Sequence, residues 1–418
     1  MRGESAAARL RRRGRGLLPA PLAVPAYRRL WLSSLLYYHA FHFEAITGGW
    51  VVFERTGSPL DVGLLGFCRA IPMFALGLVA GAITDRFRRS SVLLAVQSVG
   101  GAAALALALL FAFDAASLPL IYLLTALLGC AWAADYSTRR TLVAEMQARE
   151  HVAAALSLEA ASMQANKILA TFAGGLLLAA GGPTICYGWL ALIYACNLLA
   201  LVRLHRHADT PHGPRAGGEI GVVERIRGGW TVAMHTPAVL GVLLVTMAMN
   251  LLVFPYQQML PVVARAVLGV GPRELGLLAG ADGIGALVMG LVLAGRRRQI
   301  RPPVLFLGGT FAGAVVVIAL AGSRVFALSY ALQIVAGVCF GAFGAMQSAI
   351  VIGAVAPAMR TRAMGMLATA IGVGPFGALL AGVLSTAFGP AVTLTGMAAL
   401  ALIVIAATVA RTRPFRAA

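Results

Sequence analysis

The sequence predicts an all-α membrane protein, with twelve transmembrane helices in two pseudo-symmetric six-helix bundles. Three observations predict it. Of 418 residues, 60% are hydrophobic and 12% charged, whereas a soluble domain is about a quarter charged, so the bilayer is the solvent. A segment recurs 213 positions apart: Ser58 to Arg69 reads SPLDVGLLGFCR and Gly271 to Asp282 reads GPRELGLLAGAD, pairing Pro59 with Pro272 and Gly63 with Gly276. The basic residues form short clusters between apolar runs, as positive-inside loops do.

The elements follow in order. Residues 1–29 are a basic tail (Arg9, Arg11, Arg12, Arg13, Arg15) with a Pro-rich link from Pro19 to Pro25. The next apolar run is long, contains Glu44 and lacks a small-residue cleavage site, so the tail reads as cytoplasmic, ahead of a retained helix. Apolar runs long enough to span a bilayer lie at 30–53, 60–84, 92–113, 118–138, 152–180 and 183–204, then at 238–262, 275–295, 303–322, 325–350, 361–387 and 389–410. Most gaps are short, which makes consecutive helices antiparallel. The exception, 205–237, holds His205, Arg206, His207, Asp209, Pro211 and Pro214. It divides the chain into bundles 30–204 and 238–410, with a short tail at 411–418. Of the 34 basic residues, 28 fall on the side of the termini and four on the other, which places both termini in the cytoplasm of a multi-pass cell-membrane protein.

Several function classes are excluded. The net charge of +19 is dispersed and forms no stripe for nucleic acid. The five cysteines are odd in number and lie in apolar runs, which predicts free, buried thiols. Lys167 is the only lysine and follows Asn166, so no phosphate-binding GxxxxGK[ST] loop exists. His39, His42 and Glu44 point in different directions on a helix, and no HExxH is present. No enzyme, metal or cofactor is expected.

Four ionisable side chains lie deep in spans: Glu44, Arg69, Lys167 and Asp282. Each costs at least ~2.5 kcal/mol at mid-membrane when it faces lipid, so each should face the bundle interior. Glu44 and Arg69 are each about 13 Å from the outer boundary by helical rise, which makes them expected neighbours. Lys167 and Asp282 differ in depth by roughly 9 Å on the same count. Tyr37, Phe41, Glu44 and Gly48 share one face of the first span. The repeat offset carries that face to Asn250, Phe254, Gln257 and Pro261. These two faces are expected to line a central cavity, with Glu159, Ser162 and Asn166, on one face of the fifth span, extending it inward. Pairs such as Gly337-x-x-x-Gly341 and Gly77-x-x-x-Gly81 read as close helix contacts.

The loop after the second span runs Gly81-Ala82-Ile83-Thr84-Asp85-Arg86-Phe87-Arg88-Arg89. It resembles the G-x-x-x-D-R-x-G-R-R loop of the major facilitator superfamily, departing from it at Arg88 and Ser90. The resemblance covers nearly the whole chain and implies the major facilitator fold and alternating access. It implies an inner gate of Gly81, Asp85, Arg86 and Arg89, with Asp85 and Arg89 meeting Asp135, Arg139 or Arg140. It also implies that the fifth and eighth spans pack together, which supports a Lys167–Asp282 pair that depth alone does not. A closer resemblance is to the transmembrane secretion effector branch, which holds enterobactin and macrolide exporters. It rests on Tyr27-Arg28-Arg29-Leu30-Trp31, Thr56-Gly57-Ser58-Pro59, Asn250-Leu251-Leu252-Val253-Phe254-Pro255-Tyr256 and Gly269-Val270-Gly271-Pro272. Of the antiporter pattern G-x-x-x-G-P-x-x-G-G, only Gly174 and Gly175 remain.

The resemblance implies a monomeric secondary transporter that exports a small amphiphilic metabolite or drug, siderophore- or macrolide-like, in exchange for protons. Asp282 or Glu44 is the expected proton carrier, since a carboxyl in an apolar cavity can exchange its proton near neutral pH. An importer, an uncoupled facilitator and a non-transporting sensor on the same scaffold are the alternatives.

Overall fold

The computed structural model describes residues 20–76, 87–207, 236–295, 301–356 and 359–411. Among them every regular element is helical. Helix α1, Pro25–Thr56, has proline in its first turn, where no N–H is needed. It stops at Gly57, whose positive φ of 65° lets its N–H return to the Phe53 carbonyl. Then follow α2 (Pro59–Leu76), α3 (Arg89–Ala112) and α4 (Leu118–Glu145). The helical run Arg149–His207 is broken at Gly182 (φ 68°, ψ −165°), a conformation open to glycine alone. The break separates α5 (149–181) from α6 (183–207).

The seventh rod, α7 (237–267), is irregular. It opens as an α-helix, Pro237–Ala248, and widens to a π-turn at Met249–Val253 ahead of Pro255. A second π-turn follows at Val263–Val267. Pro255 lacks the N–H that the helical ladder requires, and the wider turn absorbs that loss. Helices α8 (Pro272–Gly295), α9 (Pro302–Gly322) and α10 (Phe326–Ala354) are continuous. In α11 the helix breaks between Arg360–Ile371 and Gly374–Phe388, with Pro375 opening the second piece. Helix α12 is Pro390–Arg411.

Nine helices among the described residues are long and apolar enough to cross a membrane, one of them the run that Gly182 divides. α1 is not among the nine; its Tyr37, Tyr38, His39, His42 and Glu44 make it polar for a crossing helix. Of the expected linker, residues 208–235 lie outside the described residues, as do Gly77, Gly81, Asp85 and Arg86. All five cysteines are free, but only Cys186 and Cys339 are buried; Cys68 and Cys130 are half-buried and Cys196 is exposed on α6. An apolar position need not face the core when the surroundings are also apolar.

The repeated segment has a structural purpose. In one group of helices, α1 packs on α5 and α2 on α4; in the other, α8 packs on α10 and α9 on α12. The groups meet where α2 crosses α11 and where α5 crosses α8. A Cβ at Gly63 would lie 2.7 Å from the Ala378 carbonyl oxygen and 2.9 Å from Gly382 Cα. A Cβ at Gly276 would lie 2.6 Å from the Thr171 carbonyl oxygen and 3.0 Å from Gly175 Cα. The two repeat-related glycines therefore seat the two crossings in the same way, each four residues past a repeated proline. Both crossings lie toward the face that holds the α1–α2 and α7–α8 turns, here called the distal face.

A second related contact lies deeper. Gly129 of α4 presses on the Arg69 carbonyl of α2, and Gly337 of α10 on the Asp282 carbonyl of α8, each too closely to admit a Cβ. The charged residue of each repeat thus sits where its helix is gripped from behind. The expected Gly337/Gly341 contact is present, with Gly341 against Ala286.

Candidate functional site

The deep charges form two pairs. In the first, Arg69 Nη1 lies 3.7 Å from Glu44 Oε2, inside ion-pair range but beyond a hydrogen bond. Both Arg69 Nη1 and Glu44 Oε1 are buried without a hydrogen-bond partner. Gly48, one turn after Glu44, supplies the space: a Cβ there would stand 3.1 Å from Glu44 Oε1 and 3.5 Å from the Tyr187 hydroxyl. That hydroxyl is also buried and unpartnered. Polar groups this close without direct bonds make a site suited to water or to a ligand.

The pair borders a small pocket, partly open to solvent, lined by Tyr37, Ala40, Phe41, Glu44, Arg69, Leu128, Gly129, Trp132 and Tyr194. Phe41 and Trp132 stack at 4.6 Å, and the Arg69 guanidinium stands 5.2 Å from the centre of the Phe41 ring. Tyr37 is held by donating its hydroxyl to the Trp132 carbonyl. Of the first-span face, Tyr37, Phe41 and Glu44 stand at this pocket's wall. Asn250, Phe254 and Gln257 do not line it. Asn250 donates to the Thr246 carbonyl, and Phe254 packs on Phe340 and Phe343. The π-turn of α7 interrupts the helical spacing from which those positions were projected. Asn166 donates to the Ser162 carbonyl within α5 and is likewise not at the cavity wall.

The second pair joins the helix groups. Lys167 Nζ of α5 lies 2.5 Å from Asp282 Oδ2 of α8, with side-chain exposures of 18% and 8%. The remaining Asp282 oxygen is buried and unpartnered. The depth mismatch expected from span ends disappears in the structure. Counted from the Gly175–Gly276 crossing, Lys167 is eight residues away and Asp282 six, a difference of about 3 Å. A Cβ on Gly283 would sit 3.6 Å from Lys167 Cβ, so the two chains are level there.

A third assembly closes around Asp135 and Arg139. Arg139 donates Nε and Nη2 to the two Asp135 oxygens, at 2.6 and 2.9 Å. Gln97 donates to Asp135, Asn197 to Gln97 and Ser33 to Asn197, and Arg139 Nη1 returns to Ser33. The ring joins α1, α3, α4 and α6, and all five side chains are buried. Every charged oxygen in it has a donor, which a buried ion pair requires to offset desolvation. Arg89 pairs with Glu145, at 2.8 Å. The physical reason is helix length: α4 runs on to Glu145, about 15 Å beyond Asp135, and α3 begins opposite that end. Gln97, Asn197, Trp132 and Tyr194 carry no signal in isolation; only helix packing assigns them a place.

A family profile for transmembrane secretion effectors matches residues 18–417. The enterobactin exporter EntS of Salmonella typhimurium (strain LT2) is 24% identical over 290 residues, covering 68% of this chain and 67% of its own. EntS of Escherichia coli O1:K1 is 25% identical over 324 residues, 77% of this chain and 74% of its own. The multidrug efflux pump Tap of Mycolicibacterium fortuitum is 27% identical over 242 residues, 52% and 57% of the two chains. Among solved structures, a bacterial homologue of the human lysosomal transporter Spinster, inward-facing and unoccupied, superposes with a TM-score of 0.73 at 15% identity. It covers 96% of this chain and 99% of that one. The nucleoside transporter NupG follows at 0.68 and 14%, covering 92% and 98%. The fold is that of the major facilitator superfamily, and its homologues are transporters rather than enzymes. With nearly its whole length matched, the chain belongs to the transmembrane secretion effector family of major facilitator transporters.

Proposed function

We propose that this transporter exports a small amphiphilic molecule in exchange for protons by alternating access, with twelve crossings and both termini in the cytoplasm. The observation that carries the reading is the Lys167–Asp282 pair, the one ion pair recorded among the described residues that joins the two helix groups. A proton on Asp282 would cancel its charge and release Lys167, so the tie between the groups depends on proton occupancy. Glu44 and Arg69 belong to a single group and border the aromatic cavity. That separation favours Asp282 as the coupling residue and the Glu44–Arg69 cavity as the substrate site. Phe41, Trp132 and Tyr194 offer apolar faces, while the pair offers charge of either sign. The glycine crossings at the distal face support a state closed to the outside, with the positive-inside face open. The relatives EntS and Tap, named as exporters, favour the outward direction.

The test uses everted membrane vesicles that hold a pH gradient, screened with amphiphilic compounds. Collapse of the gradient by a compound, absent in Asp282→Asn at equal expression, is the expected result. Compound movement that ignores the gradient in the wild type would replace antiport with uncoupled facilitation. No compound response in any vesicle orientation would favour the uncoupled or sensor readings.

A further inference from the structure

A third carboxylate lies buried in the same group of helices. Glu159 of α5 is 6% exposed and accepts one hydrogen bond from the Tyr38 hydroxyl, at 2.9 Å to Oε2. Its other oxygen, Oε1, is buried with no hydrogen-bond partner. Among the described residues no cation stands within ion-pair distance of it. The charged groups that face it are Arg139 and Asp135 of α4, the titratable hydroxyls are Tyr38 and Tyr27 of α1, and the Ser34 hydroxyl, which donates to the Leu30 carbonyl, lies beside it. Arg139 already gives Nε and Nη2 to Asp135 and Nη1 to Ser33 and Ser34. An ionised carboxylate with a single hydrogen bond is poorly compensated in such a place. A carboxylic acid differs: Oε2 still accepts from Tyr38, and the proton occupies the oxygen to which nothing donates.

We propose that Glu159 is a proton-exchanging carboxylate of this transporter, separate from Glu44 and Asp282, whose charge state sets the hold of α5 on α1. The step is a simple balance: the carboxylate takes one proton from water and becomes the neutral acid, with no other bond broken. Tyr38 and Ser34 lie one turn apart on α1. Tyr38 is held by Glu159, and Ser34 by Arg139 of the buried ring. Ionised Glu159 is the stronger acceptor, so its hold on Tyr38, and on α1, tightens when the proton leaves. The titration stands on these contacts alone; its place in a transport cycle rests on the function proposed above.

Infrared difference spectra of the purified full chain in lipid nanodiscs, acid minus alkaline, test it. The wild type should show a buried carboxylic-acid C=O band that Glu159→Gln loses and whose titration midpoint Tyr38→Phe moves. Bands of Glu44 and Asp282 persist in Glu159→Gln and do not bear on the proposal; carboxylic-acid intensity undiminished in that variant overturns it. So does a Glu159 band that persists unchanged at every pH, which marks a permanently neutral structural group. Should Glu159→Gln fail to fold, Tyr38→Phe keeps the carboxyl and still decides: an unmoved midpoint overturns the assignment. A vesicle screen without compound response would count against proton-coupled export and leave this band unaffected, so the two failures are distinguishable.

Discussion

Adding one methyl group at Gly276 should tilt the molecule away from the state seen here. An alanine Cβ there falls 2.6 Å from the Thr171 carbonyl oxygen, 3.0 Å from Gly175 Cα and 3.2 Å from Gly175 N. Carbon contacts settle at about 3.5–4.0 Å, so α5 and α8 must part by roughly 0.5–1 Å at their crossing. All three colliding atoms are backbone, which cannot rotate aside. Overpacking of this kind costs about 1–3 kcal/mol. If the cost falls on the distal-closed state alone, the balance between states moves by about 5–150-fold. Spin labels at Asp114 and Arg324, exposed turns on the distal ends of the two groups, would read the change by pulsed electron resonance in a cysteine-free background. The expected result is loss of the short distance in Gly276→Ala and, by the repeat, in Gly63→Ala. Gly290→Ala on the same helix, where a Cβ meets nothing within 4 Å, should leave the distribution unchanged. Identical distributions in all three folded variants would refute the reasoning, and the repeated glycines would then be packing residues without influence on the state.

Three more predictions follow from named contacts. Lys167→Met or Asp282→Asn alone leaves a buried charge without its partner and should lower thermal stability by about 3–5 kcal/mol, whereas the double variant should recover most of it; a melting series in detergent measures the cycle. Asp135→Asn should destabilise to a similar degree and Gln97→Ala by about 1–3 kcal/mol, because each opens the buried ring; additive losses in the double variant would mean that the ring does not act as a unit. Trp132→Ala removes the ring stacked on Phe41, an interaction of about 0.5–1.5 kcal/mol, and should weaken binding of any aromatic compound found in the vesicle screen roughly 2–10-fold, read by direct titration; unchanged affinity would place the substrate elsewhere.

How much of the site was legible varies by residue. Glu44–Arg69 could be paired from sequence because both belong to one group and depth along neighbouring antiparallel helices is a reliable ruler. Lys167–Asp282 needed the family resemblance, since the ruler was set from span ends and α5 runs past the point where α8 begins. Once the Gly175–Gly276 crossing is known, the same count places them level. Asn250 and Phe254 do not line the pocket that Tyr37 and Phe41 border, and a π-turn before Pro255 interrupts the spacing from which they were projected. Arg89 found Glu145 because α4 is longer than its apolar run. Glu159 is a single charge near a span end, and its isolation becomes visible only when its neighbours are counted.

The amino-acid order alone determined the solvent, the helical class, the doubled architecture and the residues too costly to leave in lipid. All of these follow from composition and period, which are local properties of the chain. The tertiary structure decided which charges meet, where the cavity lies and what the repeated segment is for. Those depend on helix crossings, and crossings are set by backbone approaches at Gly63, Gly276, Gly129 and Gly337, which have no side chain to announce them. A glycine in an apolar run reads as a gap in the pattern; in the folded chain it is the point where two helices touch.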